Sequence, residues 1–251
     1  MKKIKTYFAN LPIGVKTIIK INFLVYFLSV MVFALFDVVL QDYFGAYPTY
    51  SDSFNPIQVV TRLFIHQYEI SHILSNTILF LIFAPFIERK FGTKLFIIIY
   101  FICGTIGYMF CNYAYYENKT TIEQLITDNG INIKDIKLSD GEIDDDYLKT
   151  LDVKKQEVVN LYHNVISKTL GSSASISGLI IIYLFFNLLN IKNIKQTVLS
   201  IIVIIWILNG FFGESEIIII GDYAHFGGFL GGLIISLYFM YNNTLQTKNG
   251  D

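Results

Sequence analysis

Six apolar stretches divide this chain, each close to the roughly 20 residues that a helix needs to cross a bilayer. They fall at about 17–40, 70–87, 94–115, 170–189, 196–213 and 223–241. Hydrocarbon offers the backbone no hydrogen bonds, so stretches of this kind become helices that satisfy their own polar groups. Composition agrees. The chain is 53% hydrophobic and 16% charged, against about 25% charged for a soluble domain. A formal net charge of -1 gives no reason to expect nucleic acid as a partner. The predicted fold class is all-α: a polytopic membrane bundle of six transmembrane helices with an extended polar loop between the third and fourth.

The same pattern organises the chain into an N-terminal tail with three spans (1–115), a polar insertion (116–168), and three spans with a C-terminal tail (169–251), all one domain overall. The basic residues Lys2, Lys3, Lys5 and Lys16, then Arg89, Lys90 and Lys94, then Lys192 and Lys195 fall on one side of a six-span bundle. The positive-inside rule makes that side, with both termini, cytoplasmic. The basic start is read as preceding a retained first helix rather than a cleaved signal, and a bacterial inner membrane is the expected location. Residues 41–69, with Tyr43, Phe44, Tyr47, Tyr50 and Phe54, suit the membrane interface. The insertion carries eleven acidic and seven basic residues, with turn signals at Asp128-Asn129-Gly130 and Asp140-Gly141. From about Asp144 to Lys168 its apolar spacing is helical. The simpler reading is a solvated loop carrying one amphipathic helix; the sharper one is a cap over a site. Cys103 and Cys111 are eight apart in one apolar run, roughly 12 Å on a helix and too far for a disulfide. They read as packing residues.

Chemistry concentrates where three spans begin on the same side. The fourth opens with Gly171-Ser172-Ser173-Ala174-Ser175-Ile176-Ser177-Gly178. Small residues let membrane helices approach closely, and a serine near a histidine can be a nucleophile. Ser173 is the candidate nucleophile; Ser172 and Ser175 read as packing or capping serines, and Ser177 lies one turn on. His72 and Asn76 are four apart at the start of the second span and share a helix face. Such a pair either satisfies a neighbouring backbone group or donates to a developing oxyanion. His225 opens the sixth span, followed by two small-residue faces, Gly227/Gly231 and Gly228/Gly232, to which Gly178 is a plausible counterpart. It is read as a general base, with a structural histidine as the alternative.

These residues resemble the rhomboid family of intramembrane serine proteases. Phe64-Ile65-His66 followed by His72 and Asn76 is similar to the family's second-helix signature, and Glu88-Arg89 with Gly92 to its exit. Gly171-Ser172-Ser173-Ala174 with Gly178 resembles the nucleophile motif, and Ala224-His225-Phe226-Gly227-Gly228 with Gly232 the sixth-helix motif. The resemblance covers the membrane core and not the insertion. It implies a Ser173–His225 dyad, with His72, Asn76 and the Ser173 N–H as oxyanion hole. It implies membrane-protein substrates in the lipid bilayer and no cofactor; neither metal nor nucleotide is expected. The oligomeric state stays open. His66 matches a position with a structural hydrogen-bonding role, and His163, on the polar insertion, reads as exposed.

Three departures from the family pattern stand out. The position four after the nucleophile, usually aromatic and packed on the histidine, is Ser177; Ala174 replaces a common glycine; and the Trp-Arg signature of the first outer loop is not recognisable, the single tryptophan being Trp206 in the fifth span. They keep a proteolytically inactive, client-binding relative as the rival. A transporter would need charges deep in several helices, and the helix centres here are nearly free of them.

Overall fold

The computed structural model describes residues 7–132, 136, 138–139, 142–166, 168–187, 194–212 and 220–248. Lys2, Lys3, Lys5 and Lys192 of the charge pattern, and the Asp140-Gly141 turn, lie outside them. Five of the six predicted spans are helices long and apolar enough to cross a membrane. They are α1 (Ile13–Phe36), α4 (Ile70–Phe91), α5 (Thr93–Asp128), α9 (Ile194–Phe212) and α10 (Ile220–Lys248). Two short helices, α2 (Leu40–Phe44) and α3 (Gln58–Thr61), punctuate the connection from α1 to α4. A two-residue β-hairpin, β1 (Leu138–Ser139) with β2 (Glu142–Ile143), then α6 (Asp145–Lys149) and α7 (Val153–Ile166), lie between α5 and the sixth apolar helix, α8 (Ser173–Asn187). The chain is an integral membrane protein with a polytopic helical bundle.

α8 is the hub. Its 15 residues reach about 22 Å, short of the roughly 30 Å of hydrocarbon. It packs against α4, α5, α9 and α10, and from Ala174 to Tyr183 every residue is buried. Irregular backbone before such a short helix is tolerated only inside protein, and here its groups are paired. Thr169 exchanges two backbone hydrogen bonds with Ala46, and the Gly171 N–H donates to the Arg62 carbonyl at 2.8 Å. By contrast, Leu24 and Phe27 on α1 and Ile202 and Ile205 on α9 are exposed, as lipid-facing surfaces are.

Three local devices fix the other spans. The apolar sequence runs on to Leu40, but α1 stops at Phe36 because Asp37 turns left-handed at φ 55°. Pro85 inside α4 removes the N–H that would bond the carbonyl four residues earlier. That carbonyl, Leu81, instead accepts from the Tyr7 hydroxyl at 2.7 Å. The buried Glu88 carboxylate accepts from the N–H groups of Gly14 and Val15, each at 2.7 Å, and from the Thr93 hydroxyl. It thereby caps the start of α1, where the helix dipole favours an anion. Glu88→Ala is expected to cost about 2–4 kcal/mol by leaving these donors buried without a partner. A thermal midpoint in detergent unchanged from wild type would refute this.

Within the polar connection the described residues fold. α5 continues past the membrane-length stretch to Asp128, ending where Asn129 and Gly130 (φ 65°) turn the chain. α7 lies against it, burying Ile122, Ile126, Val158 and Val159 in one cluster with Tyr108, Tyr115 and the partly buried Tyr50 and Phe54. The amphipathic helix expected in a solvated loop is present as α7, but it packs on α5 rather than standing in water, and its cluster reaches the α1–α4 connection. His163 on α7 is half-buried rather than exposed. Cys103 and Cys111 are free and buried on α5, as packing residues.

Candidate active site

Small residues bring α10 against two partners at once. A methyl group on Gly227 would meet the Gly107 Cα of α5 at 2.9 Å, and one on Gly228 would meet the Ala174 backbone of α8. One turn on, Gly232 lies against the Gly178 backbone and Gly231 against Ile106 and Cys103. The two glycine faces thus serve different helices, and Gly178 is the counterpart of Gly232. With no side chain between them, α8 and α10 approach backbone to backbone, which carries His225 to the level of Ser173.

The result is a cavity of about 320 Å³. His72, Ser75 and Asn76 of α4, Ser173 and Ser177 of α8 and His225 of α10 supply its polar wall. Leu79, Ile176, Ile180, Val203 and Trp206 supply its apolar part. All four residues singled out in the sequence therefore face one space. Ser172 and Ser175 do not line it; both are buried in the packing.

Gly171 closes the wall in front of Ser173. Its φ of +92° is a conformation that only glycine adopts without strain. A Cβ there would sit 2.9 Å from His72 Nε2 and 3.6 Å from Asn76 Nδ2. Both side chains therefore converge on the backbone just ahead of Ser173. The Gln67 N–H donates to His72 Nδ1 at 3.4 Å, which leaves the proton of the neutral ring on Nε2, the nitrogen nearer Gly171. Asn76 is 6% exposed, and its Nδ2 has no protein partner among the described residues. A buried donor left over in this way, on a cavity wall, is available to a ligand oxygen. The first N–H groups of α8, from Ser173 onward, also have no acceptor within their helix.

His66 lies behind this wall. Its ring stands edge-on to His72, centroids 5.3 Å apart, and its Nδ1 donates to the Phe64 carbonyl. Burial, with His72 adding to it, pushes the His66 pKa down to about 4, so near neutral pH it stays an uncharged structural group.

Ser173 and His225 share the cavity, but no hydrogen bond joins them among the described residues. Such bonds are often long in a free enzyme and tighten when substrate binds. The Ser177 hydroxyl donates to the Ser173 carbonyl at 2.9 Å, one turn back on its own helix. The aromatic contact to His225 comes instead from Trp206 of α9, ring centroids 5.1 Å apart.

Two residues escaped the sequence reading. One is Trp206 in this role. The other is Arg62, only 1% exposed, whose Nη2 donates to the Gly104 carbonyl and whose guanidinium faces the Tyr108 ring. Its own carbonyl holds the Gly171 N–H, so it ties α5 to the turn before Ser173. A lone arginine between Val59-Val60 and Leu63-Phe64-Ile65 was the available signal, because an isolated charge in apolar sequence demands partners.

A family model described as the rhomboid domain matches residues 53–127 and 151–242 and passes over 128–150, the stretch that holds the β-hairpin and α6. A search of curated proteins found no match. With most of its length matched, the chain belongs to the rhomboid family, whose members are generally intramembrane serine proteases acting on membrane proteins.

Proposed function

We propose that this protein is an active intramembrane serine endopeptidase that cuts peptide bonds in or near transmembrane segments. What supports the reading is the convergence of Ser173, His225, His72 and Asn76, from three helices, on one cavity. Ser173 Oγ attacks the scissile carbonyl while His225 takes its proton. The oxygen that gains charge is met by His72 Nε2–H, Asn76 Nδ2–H and the Ser173 N–H. His225 returns the proton to the leaving amine, and an acyl ester stays on Ser173. Water then attacks the ester, giving its proton to His225, and the carboxylate departs as Ser173 recovers its hydrogen. Neutral His225 suits the role because its ring carries an unprotonated nitrogen that can accept the serine proton. The polar side of the cavity, by the basic-residue pattern, faces away from the cytoplasm, and a bacterial inner membrane is the setting that fits.

The test is labelling of the purified protein in detergent by a fluorophosphonate, wild type beside Ser173→Ala. Labelling of wild type alone supports an activated serine at 173. The lack of a Ser173–His225 hydrogen bond favours a second reading, a client-binding protein without proteolysis. Failure to label a demonstrably folded wild type would decide for that second reading.

Asn76→Ala tests the oxyanion role separately. It is expected to lower kcat by about 10²–10³, as loss of one such donor does elsewhere, with a smaller change in KM. A loss carried by KM alone would remove Asn76 from that role.

A further inference from the structure

We infer that Trp206 is a positioning residue for His225, the indole holding the imidazole plane from a neighbouring helix; this rests on the proteolytic reading of the site. No protein group among the described residues hydrogen-bonds His225 Nδ1. A ring without such a bond is free to rotate about its side-chain torsions unless packing stops it. Ser177, one turn from Ser173, cannot supply that packing, since its small hydroxyl is turned along its own helix. Among the described residues, Trp206 is the aromatic side chain that meets His225, with the planes inclined at 45°.

The contact belongs to a larger clasp. Five residues beyond Trp206 on α9, Phe211 stacks on Phe226 at 3.6 Å between centroids and packs on Tyr223 at 4.6 Å. Tyr223 and Phe226, which flank His225 along α10, are thus gripped by the same helix that touches His225. Yet α9 is lightly held, with Thr197, Ser200 and Ile207 as its buried residues. Trp206 itself is 56% exposed. A base aligned by this indole loses its alignment when α9 moves away, which couples the geometry of the dyad to the position of one span.

Trp206 is the single tryptophan of the chain, so indole emission comes from this residue alone. An imidazolium in ring contact quenches indole fluorescence, and the neutral ring does so far less. The other titratable groups around His225 are His72 across the cavity on α4, Asp222 and Tyr223 on α10, and Cys111 of α5 near the start of α10. On α8 and α9 the side chains lining the same cavity, Ser173, Ile176, Ser177, Ile180, Val203 and Trp206, carry no charge.

Emission of the folded wild type in detergent, titrated down from about pH 8 to about pH 3, is expected to fall in one step as the pH drops. That step should vanish in His225→Gln and persist in His72→Gln. In parallel, Trp206→Ala is expected to lower kcat at least about tenfold with KM within about twofold, and Trp206→Phe to recover most of the loss. A step absent from wild type, or unchanged in His225→Gln, overturns the inference. So does a Trp206→Ala protein whose kcat is intact and whose KM alone changes, because the indole would then be a wall for substrate. Failure of the wild type to label with fluorophosphonate would sink the proteolytic reading, while the emission step, which needs no turnover, would still test the contact.

Discussion

Ser173→Ala and His225→Ala are each expected to lower cleavage of a transmembrane substrate by about 10⁴-fold or more, and the double variant by no more than either alone. Non-additivity is the sharper half of the expectation. If Ser173 attacks and His225 takes its proton, removing either one stops the same step, and the second removal has nothing left to remove. If Ser173 were a packing serine in a small-residue interface, its loss would change cleavage little. If His225 served only to hold backbone, its loss would act through stability and would add to that of Ser173→Ala. Initial rates on one reconstituted substrate, with thermal midpoints measured alongside, separate these cases. Residual cleavage within tenfold of wild type by either variant would end the dyad assignment.

The spans were legible because membrane helices obey two constraints that act locally, length and apolar composition. Their ends were less so. The sequence runs apolar to Leu40, while α1 ends at Phe36, because a single backbone torsion at Asp37 decides the boundary and hydropathy does not register it. Likewise α5 runs to Asp128, past the apolar stretch, because Ile122 and Ile126 bury against α7, a partner distant in sequence. The four candidate site residues were legible as types at matching depths in three helices. Their facing one another was not, since it depends on how far α10 sinks onto α8. Trp206 and Arg62 were missed for a common reason. Each acts on a residue distant in sequence, His225 and Gly171 respectively, and no spacing along one helix encodes such a pairing. Ser177 shows the converse. A side chain that departs from the family pattern at one position was legible at once, but the group occupying its place came from elsewhere in the fold.

The second large effect is expected from one methyl group. Gly221 and Gly228 lie on the same helix, α10, seven residues apart. A Cβ on Gly221 meets nothing within 4 Å, whereas one on Gly228 would overlap the Ala174 carbonyl oxygen, with the carbonyl carbon at 2.7 Å and the Cα at 3.0 Å. The three nearest atoms are all backbone, so no rotamer change relieves the clash and α10 must back away from α8. Helix propensity favours alanine over glycine at both positions by up to about 1 kcal/mol. At Gly221 that gain is unopposed, and Gly221→Ala should match or slightly exceed wild type in stability and activity. At Gly228 overpacking against rigid backbone opposes it, with an expected net loss of about 2–3 kcal/mol. Activity should suffer more than stability does. Ala174 follows Ser173 directly, and His225 stands one turn before Gly228, so the shift that relieves the clash moves the two proposed catalytic groups apart. A displacement of about 1 Å in such a constellation costs on the order of 10²-fold. Gly228→Ala is therefore expected to lose at least about 10²-fold in cleavage while a majority of the protein remains folded at 25 °C. Equal behaviour of the two alanine variants would mean that α8 and α10 do not meet backbone to backbone, and with that contact would go the reason why Ser173 and His225 share a cavity.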